Sequence, residues 1–233
     1  MSERGGRSWL QRAIEEVPIL VVGILIAFGL QAWWEGQRSS GEEQRTLIAV
    51  QGELRQNAEG LRTYIGWHER VARCAEALLS AVGDGSPPQR VEVHDSLLLA
   101  VLVSPTFDAS TTATEAALTS RAGSQVVWDA LSRWREAVVD AAGEERRSRE
   151  FTDERLSGFL SPRVPLPDAE LSIGWLFGTS ASPIEGITAI DTSPELRFLV
   201  STRLKYAQLA ALELHEAMTA LEAAEGSLAA ELR

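Results

Sequence analysis

Residues Glu42–Val82, EEQRTLIAVQGELRQNAEGLRTYIGWHERVARCAEALLSAV, decide how this chain is organised. Their apolar positions fall on two lines. One is Leu47, Leu54, Leu61, His68, Ala75 and Val82; the other is Val50, Ala58, Ile65, Ala72 and Leu79. Near-heptad spacing of this kind puts one apolar face on an α-helix, here about 60 Å long at about 1.5 Å per residue. The run Gly83-Asp84-Gly85-Ser86-Pro87-Pro88 ends it, since Gly and Pro stop a helix. His68 lies on the apolar line and reads as a core histidine. Cys74 beside it reads as a small packing residue.

Upstream, Val17–Trp34 (VPILVVGILIAFGLQAWW) carries no charge over 18 residues. As a helix it is about 27 Å long, close to one hydrocarbon thickness. It predicts a transmembrane helix, flanked by interfacial anchors Trp9, Trp33 and Trp34. A cleaved signal peptide needs a small-x-small exit, and Leu30-Gln31-Ala32 fits that badly. Gly23 and Ala27 form a small-xxx-small pair, and Gly29 with Ala32 a second shallow spot, on which another membrane helix can pack; Gln31 can hydrogen-bond a partner helix or sit near the interface beside Trp33. Ser39-Ser40-Gly41 is a place where this helix and the next could part. Arg4, Arg7 and Arg12 precede the span, against Arg38 and Arg45 after it. The bias places residues 1–16, a short tail and interfacial lead-in, in the cytoplasm. Residues 35–233 then lie in the periplasm of a bacterial inner membrane, carried by a single-pass anchor.

Downstream, Ser96–Val103 is a short apolar stretch stopped by Pro105. Ser110 or Thr111 can cap a short helix ending near Ser120. Gln125–Gly158 is long and amphipathic through Val127, Leu131, Trp134, Val138, Ala141 or Ala142, then Leu156, Phe159 and Leu160; Glu144–Arg149 (EERRSR) reads as a solvated face. Residues 161–192 hold four prolines and no helical period, an irregular segment. Ser193-Pro194-Glu195 is a helix start: a cap, proline at the first position, and an acid at the positive dipole end. From there Val200, Leu204, Ala207, Ala211, Leu214, Met218, Leu221, Glu225, Leu228 and Leu232 step by four and three to the terminus, a bundle seam.

The expected fold is therefore all-α: an N-terminal transmembrane helix (17–34), then an elongated antiparallel bundle of three long and two short helices. With the long helices running out, back and out again, the segment 161–192 returns to the membrane-proximal base. There Trp175, Leu176 and Phe177 can plug the core or touch lipid or a membrane neighbour.

Composition narrows the chemistry. Lys+Arg is 22 and Asp+Glu 33, so the net charge is 22 − 33 = −11, which excludes a phosphate-neutralising nucleic-acid surface. One Cys and three His exclude a disulfide framework and a Cys-rich zinc site. Residues three before His68, His94 and His215 are Ile65, Val91 and Leu212, so the Glu-x-x-His pairs of a di-iron bundle are missing. Glu213 and Glu216 around His215 read as an exposed charged face. No nucleophile elbow, phosphate loop or dinucleotide fingerprint occurs. No catalytic residue, cofactor or metal is expected; a buried polar cluster within the bundle is the feature that would reopen catalysis.

The run V-V-G-I-L-I-A at Val21–Ala27, followed by Gln31, Trp34 and Glu35, resembles the N-terminal segment of a bacterial family of unknown function. The similarity extends to Thr106-Phe107-Asp108, to Ala116–Ser120 and to Glu195-Leu196-Arg197. Pro18, Phe28-Gly29 and Ala32-Trp33 depart from it. The resemblance implies one membrane helix and a mostly helical remainder, and carries over no catalytic residue. The expected function is a non-enzymatic accessory or scaffold subunit. Its partners are the lipid bilayer and other membrane subunits, for example of an energy-transducing complex, or further copies of itself. The alternative is an extracytoplasmic ligand-sensing module that signals through a separate partner.

Overall fold

The computed structural model describes residues 6–84, 87–164 and 186–233, with side chains from residue 24 onward except those of residues 32–40. Helix α1 (Gly6–Val82) is followed by β1 (Arg90–His94), α2 (Asp95–Leu102), α3 (Thr112–Ser120) and α4 (Gln125–Phe151). Next come a π-helical turn (Thr152–Ser157), the single turn α5 (Gly158–Leu160), β2 (Ile187–Asp191) and α6 (Pro194–Glu231). The chain divides into two compact units, Met1–Thr46 and Leu47–Arg233. Ser39-Ser40-Gly41 does not interrupt α1, which is helical through all three residues.

In the first unit, Ile24–Gln31 are exposed on every side of the helix, Ala27, Gly29 and Gln31 among them. Among the described residues no helix is long and apolar enough to cross a membrane. Of the expected span 17–34, the side chains of residues 24–31 alone are described. The side chains of Trp9, Trp33 and Trp34, the surroundings of Gly23, and residues Trp175, Leu176 and Phe177 lie outside the described part.

The second unit is built on α1, α4 and α6. Their predicted apolar lines are buried almost throughout: Leu47, Leu54, Leu61, His68, Ala75 and Val82 on α1; Val127, Leu131, Trp134 and Ala141 on α4; Val200, Ala207, Leu214, Leu221 and Leu228 on α6. Ser193 caps α6 as expected, its side chain accepting from Leu196 N at 3.0 Å. Glu225 is only half-buried, and the seam closes instead through Ala224.

The direction of α4 departs from the expected path. Leu47 lies beside Gly123 and Val127 at one end of the unit, and His68 meets Glu145 farther along. α1 and α4 therefore run parallel. α6 opposes both, since Ser124 N donates to Glu231, Arg203 to Ser148, and Arg197 to the Gly83 carbonyl. The return leg between α1 and α4 is the segment α2, residues 103–111 and α3. The unit is thus an up-down-up-down bundle whose second member is broken in the middle. Ser104-Pro105 breaks it: proline lacks an N–H and biases the residue before it toward extended backbone.

The fold is not purely helical either. β1 and β2 form a two-stranded antiparallel sheet with Arg90 opposite Asp191 and His94 opposite Ile187. Thr192 N donates to Gln89 O at 2.7 Å, and Gln89 N to Thr192 Oγ1 at 2.8 Å, lengthening the ladder. Val93 and Ile190 bury on Leu78, Val82 and Leu98. This sheet sits at the Val82 end of the unit, and the described flanks of residues 165–185 lie at that end, opposite Leu47.

The interior has two apolar cores. One joins Leu47–Ile65 of α1 to α3, to α4 up to Ala141, and to α6 beyond Leu214. The other joins the end of α1 to β1, α2, Leu156, Leu160 and Leu196–Val200. Val71, Ala72, Ala100 and Ala207 form a small cluster of their own, at the level between them.

Candidate functional site

The level between the two cores also holds a polar layer. His68, Glu145, Ser148, Thr152 and Arg203 are all buried there, at 0–1% exposure. Glu144–Arg149 is therefore not one solvated face. Arg146, Arg147 and Arg149 are exposed, but Glu145 and Ser148 point inward. They continue the α4 seam by steps of four and three: Ala141, Glu145, Ser148, Thr152, Leu156.

His68 Nε2 and Glu145 Oε1 are 3.0 Å apart. A carboxylate only accepts, so the ring proton sits on Nε2. His68 Nδ1 has no partner among the described residues. The same carboxylate accepts from Phe107 N, at 3.1 Å to Oε1 and 2.9 Å to Oε2. Arg203 donates from Nε to Val101 O (2.9 Å), and from its two terminal nitrogens to Val103 O (2.6 Å) and Ser148 Oγ (2.8 Å). Burial lowers the Arg203 pKa to about 10, so the guanidinium keeps its charge at neutral pH. Thr152 Oγ1 donates to Ser148 O at 2.7 Å, at the start of the π turn.

Farther down, α1 continues the pattern. Asn57 Nδ2 donates to Ser110 O at 2.7 Å, and Asn57 Oδ1 accepts from Ser110 N at 3.0 Å. Glu53 accepts from Ala113 N (2.7 Å), Thr114 N (3.0 Å), Thr114 Oγ1 (2.7 Å) and Ser110 Oγ (3.3 Å). The expected Ser110 or Thr111 cap of α3 is not made; Thr111 precedes the helix without a side-chain cap bond. A carboxylate from another helix satisfies the first N–H groups of α3 and meets its positive dipole end.

These contacts share one object. Residues 103–111 form an extended strap laid along α1, and buried side chains of α1, α4 and α6 bond its backbone. Between its ends, where Val103 N bonds Ala100 O and Thr111 O accepts from Glu115 N, the strap has no ladder partner or helical bond among the described residues, yet buried backbone groups must be paired. Glu145, Asn57 and Arg203, with Glu53 just beyond, meet that requirement. Phe107 fixes the register: it is buried, lies 5.6 Å from the Tyr64 ring centre, and rests on Gly60. A Cβ at Gly60 would come 2.8 Å from Phe107 Cε2, so only glycine leaves room for the ring.

Comparison with protein-family models, with characterised proteins and with solved structures finds no match. The polar layer is the cluster that would reopen catalysis; its donors and acceptors bond backbone and one another, apart from His68 Nδ1. Among the described residues no group of three or more His, Cys, Asp or Glu is placed to hold a metal. His215 is exposed and lies 3.5 Å from Glu69 across to α1. Partial burial raises the Glu213 pKa, and the negative charges of Glu216, Glu144 and Asp140 add to it, against an opposing pull from Arg147. Burial raises the Cys74 thiol despite Arg73 and Arg70, which keeps it protonated and unreactive at neutral pH.

Sequence reasoning missed Glu53, Asn57, Glu145, Ser148 and Arg203. A signal was present. Glu53, Asn57, Gly60 and Tyr64 repeat by four, three and four on one side of α1. Arg203 follows Leu196 and Leu199 at the same spacing on α6.

Proposed function

We propose that this chain is a non-enzymatic, single-pass membrane subunit whose helical unit presents a docking surface to other proteins of the same membrane. The observation that carries the membrane part is the state of Ile24, Leu25, Ile26, Phe28 and Leu30. All five are 46–65% exposed. Spread over nearly two helical turns, they face every direction, so no single protein neighbour on one side could cover them. Each large apolar side chain taken out of water contributes about 1.5–3 kcal/mol, and hydrocarbon covers all sides of a helix at once. The uncharged run 17–34 and the resemblance at Val21–Glu35 support the same reading, with the N-terminus in the cytoplasm and the helical unit in the periplasm. The scaffold part rests on the polar layer. Its buried polar side chains hold the strap and leave a sealed seam, an arrangement suited to presenting a shape. Gly23 with Ala27, and Gly29 with Ala32, offer two close-packing spots to a second membrane helix.

The test is mild detergent extraction of the full-length chain, followed by native sizing and mass spectrometry of what travels with it. The expected result is recovery in the membrane fraction together with larger membrane-protein companions. A clean monomer in detergent contradicts the scaffold role. An intact chain left in the aqueous fraction after lysis contradicts the membrane anchor.

A further inference from the structure

The strap is held in a way that tells what its groove recognises. From Ser104 to Ser110 it makes no backbone–backbone hydrogen bond among the described residues. Asn57 pairs with both the N–H and the C=O of Ser110, which matches a peptide unit whatever side chain it carries. Glu145 takes the N–H of Phe107 from the opposite wall. Outward-facing Thr106 and Asp108 alternate with inward-facing Phe107 and Ala109, so one aromatic residue supplies the main apolar anchor. The groove between α1 and α4 therefore asks for extended backbone, one aromatic side chain in the notch at Gly60, and a free N–H and C=O three residues later.

We propose that this groove is a peptide-binding site, that residues 103–111 are the chain's own occupant of it, and that an extended aromatic-anchored segment of a partner protein displaces them. The strap is suited to leaving. Besides its polar contacts it seats Val103, Pro105, Phe107 and Ala109, but Thr106, Asp108 and Ser110 are exposed, and partly exposed segments without a ladder of their own can open below the global unfolding free energy. When it lifts, Glu145 exchanges the Phe107 N–H for water, while Glu53 loses only the Ser110 hydroxyl and keeps the Ala113 and Thr114 N–H groups of α3. The reading goes beyond a docking role by naming the docked chemistry, and it stands whether or not residues 17–34 lie in lipid.

The test uses the full-length protein in mild detergent and a fluorescent synthetic peptide of residues 103–114, VSPTFDASTTAT. A tethered strap competes at an effective concentration near millimolar, so the unsubstituted protein binds the peptide poorly. The Phe107→Ala protein keeps the groove but weakens its own occupant, and should bind the peptide at least tenfold more tightly. A peptide with alanine in place of its phenylalanine should lose that binding. Equal binding by the two proteins, with the variant folded by circular dichroism, overturns the proposal, as does equal binding of the two peptides. Should Phe107→Ala fail to fold, hydrogen exchange on the unsubstituted protein decides. Amides of Phe107 and Ser110 are expected to exchange in one step, well ahead of Leu214 and Leu221 on α6. Exchange of all four only through global unfolding overturns it.

Discussion

Replacing Glu145 by leucine probes the polar layer most directly. Leucine fills most of the same volume, so the cavity contribution is small and the hydrogen bonds dominate. Two buried donors lose their acceptor: His68 Nε2, 3.0 Å away, and Phe107 N, 2.9 Å away. An orphaned buried donor costs about 1–3 kcal/mol, so Glu145→Leu should lose about 2–6 kcal/mol. That is a large part of the roughly 5–15 kcal/mol of a typical domain. The double variant His68→Leu/Glu145→Leu leaves only Phe107 N unpaired and should lose about 1–3 kcal/mol. Removing both members of a buried pair is milder than removing one. Urea unfolding of the full-length protein in mild detergent, followed by far-UV circular dichroism, measures both, with the m-value checked for constancy. A loss under about 0.5 kcal/mol for the single variant, or a double loss equal to the sum of the two singles, refutes the pairing and the burial argued from it.

Three further outcomes are expected. Gly60→Ala should lower stability by about 1–3 kcal/mol, because its Cβ meets Phe107 Cε2 at 2.8 Å and the ring must move; Gly52→Ala, with nothing within 4 Å, should raise it by about 0.5–1 kcal/mol, and paired thermal melts separate the two. Ser193→Ala should cost about 1 kcal/mol in the same melts through loss of the α6 cap. Glu213 has its pKa raised in the folded chain, so its contribution favours folding below the unfolded carboxylate pKa of about 4.3 and is lost as pH rises through the folded value. Glu213→Gln should therefore stabilise by about 0.2–0.5 kcal/mol at pH 7 and make no difference near pH 3, as urea midpoints at the two pH values will show.

The three long helices were legible because each buries one continuous stripe, and a stripe leaves a period in the residues. Leu47 through Val82 lie where their spacing puts them, and Ser193-Pro194-Glu195 starts α6 as its chemistry requires. The direction of α4 was not legible. It depends on how far residues 103–111 reach, and an extended strap covers about 3.3 Å per residue without marking which way it runs. Pro105 announced a stop to α2, but nothing local says that the chain then descends along α1. The polar layer is hidden in the sequence because charge ordinarily marks solvent. EERRSR does carry three exposed arginines, yet the period that buries Ala141 also buries Glu145 and Ser148. Periodicity outranks polarity where a neighbouring backbone needs partners. The β1–β2 pair was missed for another reason: five-residue strands give too few alternations to stand out beside Pro- and Gly-rich flanks.

Arg203 lies about a hundred residues beyond the Val101 and Val103 carbonyls that it holds. A ribosome adding roughly 5–20 residues per second delivers that guanidinium seconds after the strap has emerged. During those seconds the strap has Asn57 and Glu53, already synthesised, but no fastening from the last helix. The nascent chain thus passes through a stage in which its lower half can be seated while the upper end of the return leg hangs open to whatever waits outside the exit tunnel, and completion of the C-terminal helix closes that interval.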